Sequence, residues 1–340
     1  MQKQTKIYLI SFVLILVIAS TSIVVLTRIL NNQNYKNTPS NYQTSMKQIT
    51  SNAEKFNLQF NGTRSFTYLK DQVDIGFRPP NSTGIVKERT LIVQQLHKFN
   101  WTVIFNNFTY RGVPSANILA FPQHSQRKNV TLFGAHYDTR WYADAPNSIN
   151  KTAPVLGAND GASGVAVLME FAQTFANRSD VGLLFIDAED QGNINGWIYG
   201  AGAYEFTNST VLNQYFPDGK LDIRVFVLLD MIGDWHLNIK KEGYSNSTIN
   251  DQIWASADSL GYSSSFVNTP GYFMDDDHLA FLSVGIPAVD IIDFDYTDQN
   301  GANLHHTTFD NLNFVSATSL WIVGQTMEHW LQRTTNNILT

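Results

Sequence analysis

Three carboxylates follow directly on an apolar run near the middle of the chain. Residues 181–186 (VGLLFI) carry no polar side chain, and Asp187, Glu189 and Asp190 come immediately after them. An apolar run of this length is typical of a strand that is covered on both faces of a sheet. Neighbouring acids repel one another and are costly to bury. The cluster therefore indicates either a solvated loop or a bound cation, of which a metal is the strongest candidate.

Further potential metal ligands stand at the ends of other predicted elements. His136 and Asp230 come directly after predicted strands, and Asp160 lies in a glycine-rich turn before a predicted helix. Two adjacent histidines, His305 and His306, stand late in the chain. Each residue taken alone has a structural explanation, as a hydrogen-bonded histidine, a helix cap or a turn residue. Together they predict one site, because parallel strands bring their carboxyl ends to the same edge of a sheet.

These donors are typical of a catalytic zinc site, because they are imidazoles and carboxylates and the chain contains no cysteine. Two zinc ions about 3.5–4 Å apart need a bridging carboxylate and further ligands on each ion. One assignment satisfies both ions. Asp160 is the shared carboxylate, His136 and Asp230 are the further ligands of one ion, and Asp190 and His306 are those of the other. Glu189 is then left unligated beside the ions, in the position of a general base.

Strands and helices alternate along the part of the chain that carries these residues. Strands are predicted at residues 101–110, 116–121, 130–135, 181–186, 224–229 and 288–292. Helices are predicted at residues 46–60, 83–99, 164–176 and 318–333. This alternation predicts an α/β fold of three layers, with a mixed, mainly parallel sheet and helices on both of its faces.

The overall composition excludes several classes of protein. A net charge of −6 argues against a nucleic-acid-binding protein, which usually presents a basic face. The absence of cysteine excludes disulfides and thiolate metal sites. A length of 340 residues is enough for one large domain with appendages.

The N-terminal part of the chain predicts attachment to a membrane. Residues 7–27 form an uncharged apolar run that is long enough to span a bilayer as a helix. Lys3 and Lys6 precede this run and favour an inside N-terminus, with residues 1–6 in the cytoplasm. A cleaved signal peptide is the alternative, although the run is longer than a usual signal sequence. The polar residues 28–45 are predicted to form a linker, and residues 46–340 are predicted to form a catalytic domain outside the cell membrane.

N-glycosylation sequons give moderate support to export, because some of them are expected by chance in a chain rich in Asn, Ser and Thr. Their asparagines are Asn61, Asn81, Asn107, Asn129, Asn150, Asn177, Asn208 and Asn246. If glycans are attached, these asparagines must lie at the surface of the protein.

At the candidate residues the chain resembles the M28 zinc peptidases. The stretches that carry the resemblance are GAHYD, GANDGASGVA, DAED, LLDMIG and HHTTFDN, in this order. The resemblance implies a phosphorylase/hydrolase-like zinc exopeptidase fold, the ligand assignment given above, and Glu189 as catalytic base. It favours His306 over His305, because the family pattern H-T-x-x-D fits from His306 onward. It also implies that Asp138 orients His136, and that Asp190 stands where the family more often has the longer Glu.

The related glutaminyl-peptide cyclotransferases offer an alternative. They share the fold and most of these positions, yet use a single zinc ion for an intramolecular cyclisation. The stretches HYDTRWY and DDDHLAFLSVGIP are similar to that branch. By this resemblance Asp160, Asp190 and His306 hold the one ion, and Asp276 supports proton transfer by Glu189. His305 departs from the tryptophan that often precedes the late histidine in cyclotransferases.

The sequence thus predicts a membrane-anchored extracellular zinc metallopeptidase, an aminopeptidase that hydrolyses N-terminal residues of peptides. The hydrolysis would use a metal-activated water with Glu189 as general base, and two zinc ions. The alternatives are a one-zinc glutaminyl-peptide cyclotransferase and a non-catalytic, receptor-like ectodomain. The last is disfavoured because every expected ligand type is present.

Overall fold

The computed structural model of the protein describes residues 40–336, and their side chains from residue 46 to 334. The predicted cytoplasmic segment, the predicted membrane anchor and most of the predicted linker fall outside the described residues. Within the described part, no helix has both the length and the apolar character needed to cross a membrane. The chain divides into two units, Met1–Gln48 and Ile49–Thr340, and the candidate residues all belong to the second.

The described residues form eight strands. In chain order they are β1 (Trp101–Tyr110), β2 (Val113–Pro122), β3 (Val130–His136), β4 (Val181–Ile186), β5 (Ile223–Asp230), β6 (Ile239–Lys241), β7 (Phe266–Pro270) and β8 (Ala288–Ile292). Six of them form one sheet in the order β1-β2-β4-β3-β5-β8, and β6 pairs with β7 in a small parallel sheet. The pairs β4-β3, β3-β5 and β5-β8 are parallel, whereas β1-β2 and β2-β4 are antiparallel.

The described residues also form helices. In chain order they are α1 (Ser40–Phe56), α2 (Gly62–Ile75), α3 (Thr83–Lys98), α4 (Ala162–Thr174), α5 (Ala201–Phe206), α6 (Ser209–Tyr215), α7 (Ser247–Ser259), α8 (His278–Ser283) and α9 (Ala317–Asn336). Short 3₁₀ turns occur at Gly219–Asp222 and Leu312–Phe314.

The predicted mixed, mainly parallel sheet is confirmed. Each of the six predicted strands corresponds to a strand of the large sheet, and α3, α4 and α9 correspond to predicted helices. The first predicted helix differs, because α1 begins at Ser40, inside the stretch predicted as linker, and ends at Phe56. That stretch is polar throughout, so it shows no apolar period that would have indicated a helix.

Helices cover both faces of the sheet, as predicted. On one face, Phe133 of β3 packs against Phe171 and Phe175, with ring centroids 5.0 and 5.9 Å apart. On the other face, Phe226 of β5 stacks on Phe281 of α8, with centroids 3.7 Å apart. Alternate residues of each strand point to opposite faces of the sheet, so each apolar strand supplies side chains to the core on both faces.

Gly164 fixes the approach of α4 to the sheet. A Cβ atom at this position would come within 2.1 Å of the carbonyl oxygen of Leu229 and 2.9 Å of the Cβ of Ala135. Only glycine allows so close a contact between this helix and the strands β3 and β5. Asp160 lies in the turn that precedes α4. The close contact at Gly164 therefore helps to position this turn at the carboxyl edge of the sheet.

The carboxyl ends of three neighbouring strands meet at this edge. β3 ends at His136, β4 leads through Ile186 into the acidic cluster, and β5 ends at Asp230. β3 lies between β4 and β5, so the chain moves to one side of β3 and then to the other. Ligands of open α/β sheets bind where the strand order reverses in this way.

Candidate metal centre

His136 lies between two carboxylates at the end of β3. Its Nε2 atom is 3.1 Å from Asp230 Oδ1 and 3.2 Å from Asp160 Oδ1. Its Nδ1 atom is 3.2 Å from the backbone carbonyl oxygen of Asp138. All of these side chains are buried. His136, Asp160 and Asp230 offer donor atoms within 4.8 Å of one another, which is one possible ion site.

A second donor group shares Asp160. The other oxygen of this carboxylate, Oδ2, lies 3.5 Å from Nε2 of His305 and 3.6 Å from Nε2 of His306. These three side chains also offer donor atoms within 4.8 Å of one another. The structure therefore brings Asp160 between two donor groups, which is the position that the sequence predicted for it. His305 was not predicted as part of either group.

Asp190 contacts His306 but belongs to neither donor group found in the described part of the chain. Its Oδ1 atom lies 2.9 Å from His306 Nε2. The guanidinium of Arg140 lies 3.6 Å from the same oxygen and donates a 2.8 Å hydrogen bond to the backbone carbonyl of Asp190. Arg140 is itself paired with Asp144 through two hydrogen bonds of 2.7 and 2.8 Å.

The donor atoms fit zinc in spacing and in type. Zinc–ligand bonds of about 2.0–2.1 Å in tetrahedral geometry place neighbouring ligand atoms roughly 3.3 Å apart. The separations between histidine nitrogens and carboxylate oxygens at the site run from 2.9 to 3.6 Å. Asp160 Oδ2 and Asp190 Oδ2 are buried and have no hydrogen-bond partner among the described atoms. A bound cation would remove the cost of burying them unpaired.

The charge states of the histidines differ. Burial lowers the pKa of His305 to about 3 and that of His306 to about 4, so both rings are neutral, which is the form that binds metal. For His136, burial opposes protonation, but the carboxylates of Asp138, Asp160 and Asp230 raise its pKa well above the ordinary value. His136 is therefore held as a cation between acids when no metal competes.

Glu189 lies beside the donor groups, and its side chain is not part of either of them. Its Oε2 atom is 3.8 Å from Nδ1 of His136. Burial, reinforced by the charges of Asp276, Asp277 and Asp190 and opposed by His136, raises the pKa of Glu189 well above the ordinary value. The side chain is thus placed to accept and return a proton next to the predicted ions, as expected of a general base.

Asp138 contacts the acidic cluster more closely than it contacts His136. Its carboxylate is 3.8 Å from Nδ1 of His136, beyond hydrogen-bond range. It accepts hydrogen bonds instead from the backbone N–H groups of Glu189 (3.0 Å) and Asp190 (3.3 Å), and from the amide of Gln191 (3.0 Å). The sequence predicted that Asp138 orients His136. In the structure the group of Asp138 that contacts the His136 ring is its backbone carbonyl.

Asp276 and Asp277 lie near Glu189 and are buried. Asp276 accepts a 2.6 Å hydrogen bond from the N–H of Asp277, whose own carboxylate has no hydrogen-bond partner in the described structure. Asp277 makes no side-chain cap to α8. These acids therefore do not serve as ordinary helix caps, and Asp276 lies within electrostatic range of Glu189, where the sequence predicted it.

Two residues that support the site were not predicted from the sequence. Asp310 accepts hydrogen bonds from the N–H groups of Asn159 (2.8 Å) and Asp160 (3.1 Å), which fixes the turn before α4. Its only sequence signal is its place in the H-T-x-x-D pattern. The fully buried Arg78 donates to the carbonyls of Leu156 (3.0 Å) and Gly157 (2.9 Å) at the start of the same turn.

Comparison with known proteins supports the resemblance seen in the sequence. A match to the family described as Peptidase family M28 covers residues 117–331. Among curated proteins, the chain is 23% identical over 287 residues to the glutaminyl-peptide cyclotransferase-like protein of Bos taurus. That alignment covers 72% of this chain and 71% of the relative.

Solved structures of both activities are similar to this chain. A leucine aminopeptidase precursor from Bacteroides thetaiotaomicron VPI-5482 has 30% sequence identity and a TM-score of 0.70, covering 80% of this chain and 96% of that one. A glutaminyl cyclase from Bacteroides thetaiotaomicron, bound to N-acetylhistamine, has 30% identity and a TM-score of 0.70, with coverage of 80% and 97%. The fold is thus shared by a protein described as a peptidase and one described as a cyclase.

Proposed function

Because the chain belongs to peptidase family M28, we propose that it is a zinc enzyme acting on the amino-terminal residue of peptides, and within that class a glutaminyl-peptide cyclotransferase. Aminopeptidase activity, the first expectation from the sequence, becomes the second candidate. Support for this order comes from the cyclotransferase-like relative and from two carboxylates beside His306, each of which has a buried oxygen without a hydrogen-bond partner among described residues.

The observation that carries the proposal is the position of these oxygens. His136 and Asp230 satisfy each other through a 3.1 Å contact, and Asp160 Oδ1 lies 3.2 Å from the same ring. Asp160 Oδ2 and Asp190 Oδ2 are buried without a hydrogen-bond partner among described residues. Asp160 Oδ2 lies 3.6 Å from His306 Nε2, and the other oxygen of Asp190, Oδ1, lies 2.9 Å from the same nitrogen. One ion bound beside His306 would lie close to both carboxylates. This arrangement supports a single zinc, as expected of a cyclotransferase.

In the proposed reaction, the α-amine of an N-terminal glutamine attacks its own side-chain amide. A C–N bond forms to close the ring, the bond to the amide nitrogen breaks, and ammonia leaves. Asp160, Asp190 and His306 would hold the zinc, which when bound polarises the amide carbonyl. Glu189 would accept the proton released by the amine and deliver it to the departing ammonia. The nearby buried Asp276 would favour the uptake of that proton, because it raises the proton affinity of Glu189.

Aminopeptidase activity is supported by the other donor group. His136, Asp160 and Asp230 have donor atoms close enough to hold a second ion. Two ions sharing Asp160 would suit hydrolysis of the first peptide bond, with Glu189 as base toward a water. A similar structure described as a leucine aminopeptidase precursor agrees with this candidate.

The proposal is tested by counting zinc and following two reactions on the same full-length preparation. We expect about one zinc per folded chain and release of ammonia from a glutaminyl peptide, with little turnover of an aminoacyl reporter. About two zinc ions with release of the first residue would instead establish the aminopeptidase. A folded sample that takes up no zinc and turns over neither substrate would point to the non-catalytic, receptor-like ectodomain.

We also propose that the chain is anchored in the cell membrane by residues 7–27, with the catalytic domain outside and bound sequon glycans at its surface. The eight sequon asparagines are all exposed or partly exposed, as attached glycans would require. Treatment of intact cells with protease should remove the catalytic domain while leaving a cytoplasmic marker. Protection of the domain in intact cells would contradict this placement.

A further inference from the structure

His305 and His306 direct both of their rings to the same carboxylate oxygen. Their Nε2 atoms lie 3.5 and 3.6 Å from Asp160 Oδ2. The two rings lie against each other, with centroids 3.6 Å apart and planes inclined at 38°. Adjacent side chains normally diverge, because they point to opposite sides of a strand or about 100° apart around a helix. The convergence of these two rings therefore needs a special backbone.

The backbone at His306 provides it. His306 has φ 56°, in the left-handed region that a non-glycine residue adopts only at some energetic cost. Hydrogen bonds hold this turn, since Asn303 Nδ2 donates to the carbonyl of His305 at 2.8 Å and Ala145 N–H donates to the carbonyl of His306 at 3.3 Å. The ring of Phe294 packs against His305 with centroids 5.2 Å apart. Both imidazoles are thus positioned by the protein, on a turn held from two sides.

The oxygen that they face is free to bind a cation. Asp160 Oδ1 is engaged by His136 at 3.2 Å, whereas Asp160 Oδ2 is buried and has no hydrogen-bond partner in the described part of the protein. The distances from Asp160 Oδ2 to the two Nε2 atoms are close to those between neighbouring ligands of a tetrahedral zinc, and the three side chains offer donor atoms within 4.8 Å of one another.

Asp190 is less well placed for the same ion. Its carboxylate approaches His306 at 2.9 Å, but it does not join the donor group of Asp160 and the two histidines. One of its oxygens also lies 3.6 Å from the guanidinium of Arg140, a cation that competes for its charge. An aspartate is one methylene shorter than a glutamate, so this side chain reaches less far toward the ion.

We infer that His305 is a ligand of the zinc ion held by Asp160 and His306, an inference that rests on the proposed zinc site and adds a ligand to it. Two imidazoles and one carboxylate form a donor set found at catalytic zinc. Imidazole also suits zinc better than the magnesium or calcium that all-oxygen sites prefer. His305 thereby supplies the coordination that the short Asp190 supplies incompletely.

The test replaces the ring nitrogens while keeping the ring. In full-length His305→Phe, packing against Phe294 and His306 is retained but no donor atom remains. Zinc affinity, measured by competition with a chromogenic chelator, should fall by more than about 100-fold, since changes outside the ligand shell cost about 10–100-fold. His236→Phe is the matched control, because His236 is exposed, stacks on Trp235 at 4.1 Å and lies outside both donor groups. Its zinc affinity should not change.

A second readout counts the imidazoles directly. X-ray absorption of the zinc-loaded protein should show two imidazole ligands in the wild type and one in His305→Phe, or in His305→Gln if the phenylalanine variant does not fold. Unchanged zinc affinity and an unchanged imidazole count in a folded variant would overturn the inference. A wild type that binds zinc through two imidazoles but does not cyclise glutaminyl peptides would contradict the proposed function and support the role of His305. A wild type that binds no zinc would contradict both.

Discussion

The carboxylate of Asp138 accepts a 3.0 Å hydrogen bond from the backbone N–H of Glu189. The same carboxylate also accepts a hydrogen bond from the backbone N–H of Asp190, so one buried acid fixes the backbone orientation of both residues. The turn that connects β4 to Glu189 and Asp190 needs this support, because Ala188 in this turn adopts φ 63°. The position of the proposed proton carrier therefore depends on a residue that does not itself take part in proton transfer.

Replacing Asp138 should disturb this turn. In Asp138→Asn, an amide group that can donate faces backbone N–H groups that also donate, so at least one buried group loses its partner. We expect a loss of about 1–3 kcal/mol in the free energy of unfolding and a clear fall in kcat. Denaturant unfolding and steady-state kinetics check both effects. Asp258→Asn, at an exposed position on α7, serves as control, and an effect no larger than in this control would contradict the assigned role.

Glu189→Gln should separate catalysis from metal binding. The amide is nearly isosteric with the carboxylate but cannot accept the proton. Folding and zinc content should be retained while kcat falls by about 10²- to 10⁴-fold. Zinc analysis and turnover of a glutaminyl peptide on the same sample provide the measurement. A variant that keeps most of its activity would show that the proton is carried by another group.

His136→Ala and His306→Ala should differ in their effect on zinc. In the single-zinc proposal, His306→Ala loses the ion, whereas His136→Ala retains about one zinc per chain and is damaged mainly because Asp230 and Asp160 lose a shared partner. Zinc per folded chain after dialysis decides between them. If the wild type holds two ions and His136→Ala loses one, the site is a two-metal peptidase site.

Arg78→Lys should weaken the fold and the metal site together. A lysine cannot donate to the carbonyls of Leu156 and Gly157 in the same fork-like geometry, so at least one buried carbonyl group would lose its hydrogen bond. We expect a loss of about 1–3 kcal/mol in the free energy of unfolding and weaker zinc binding. Arg64→Lys is the control, since this half-exposed arginine pairs with Glu170. It should cost less than Arg78→Lys, because the Arg64 side chain is partly exposed whereas Arg78 is fully buried.

Glu328 should make stability fall as the pH rises. Burial raises the pKa of Glu328 to about 7, against 4.5 in the unfolded chain, although hydrogen bonds from the N–H groups of Gln59 and Phe60 oppose this. Between these values the folded state binds the extra proton, so its stability is lost as pH rises toward and through 7. Glu328→Gln stays neutral. Its stability relative to wild type should increase by up to about 3 kcal/mol from pH 5 to pH 8 in denaturant unfolding.

The control for this pH dependence is Glu54→Gln, at an exposed position of α1. Its stability relative to wild type should be the same at both pH values. An equally flat difference for Glu328→Gln would mean that this carboxyl group is ionised in the folded protein at neutral pH.

Most of the sheet and of the donor set could be predicted from the sequence because both depend on local patterns. Uninterrupted apolar runs identify buried strands, and the residues that follow them must lie at the carboxyl edge of a parallel sheet. His136 and Asp230 were found in this way, Asp160 was found in the glycine-rich turn before a predicted helix, and the three do lie together. The short helix α5 was not predicted, because six residues are too few to show a helical period.

His305, Asp310 and Arg78 were not predicted for a different reason. The direction of the His305 ring depends on φ at His306, which no sequence pattern indicates in a non-glycine residue. Asp310 and Arg78 act through hydrogen bonds to backbone groups 150 and 79 residues away. Such contacts arise only after the chain has folded, and they involve no side-chain partner whose type could be recognised.

The shared carboxylate of Asp160 has a consequence for folding as well as for chemistry. Asp160 precedes α4, whereas His306 follows the last strand of the sheet, so an ion bound by both closes a long loop of the chain. The sequence has no cysteine and therefore no disulfide. An ion bound by both residues would cross-link the chain and restrict its unfolded state much as a disulfide does. Loss of zinc would then loosen the segment between β8 and α9 first, and the protein would become more sensitive to heat and proteases there.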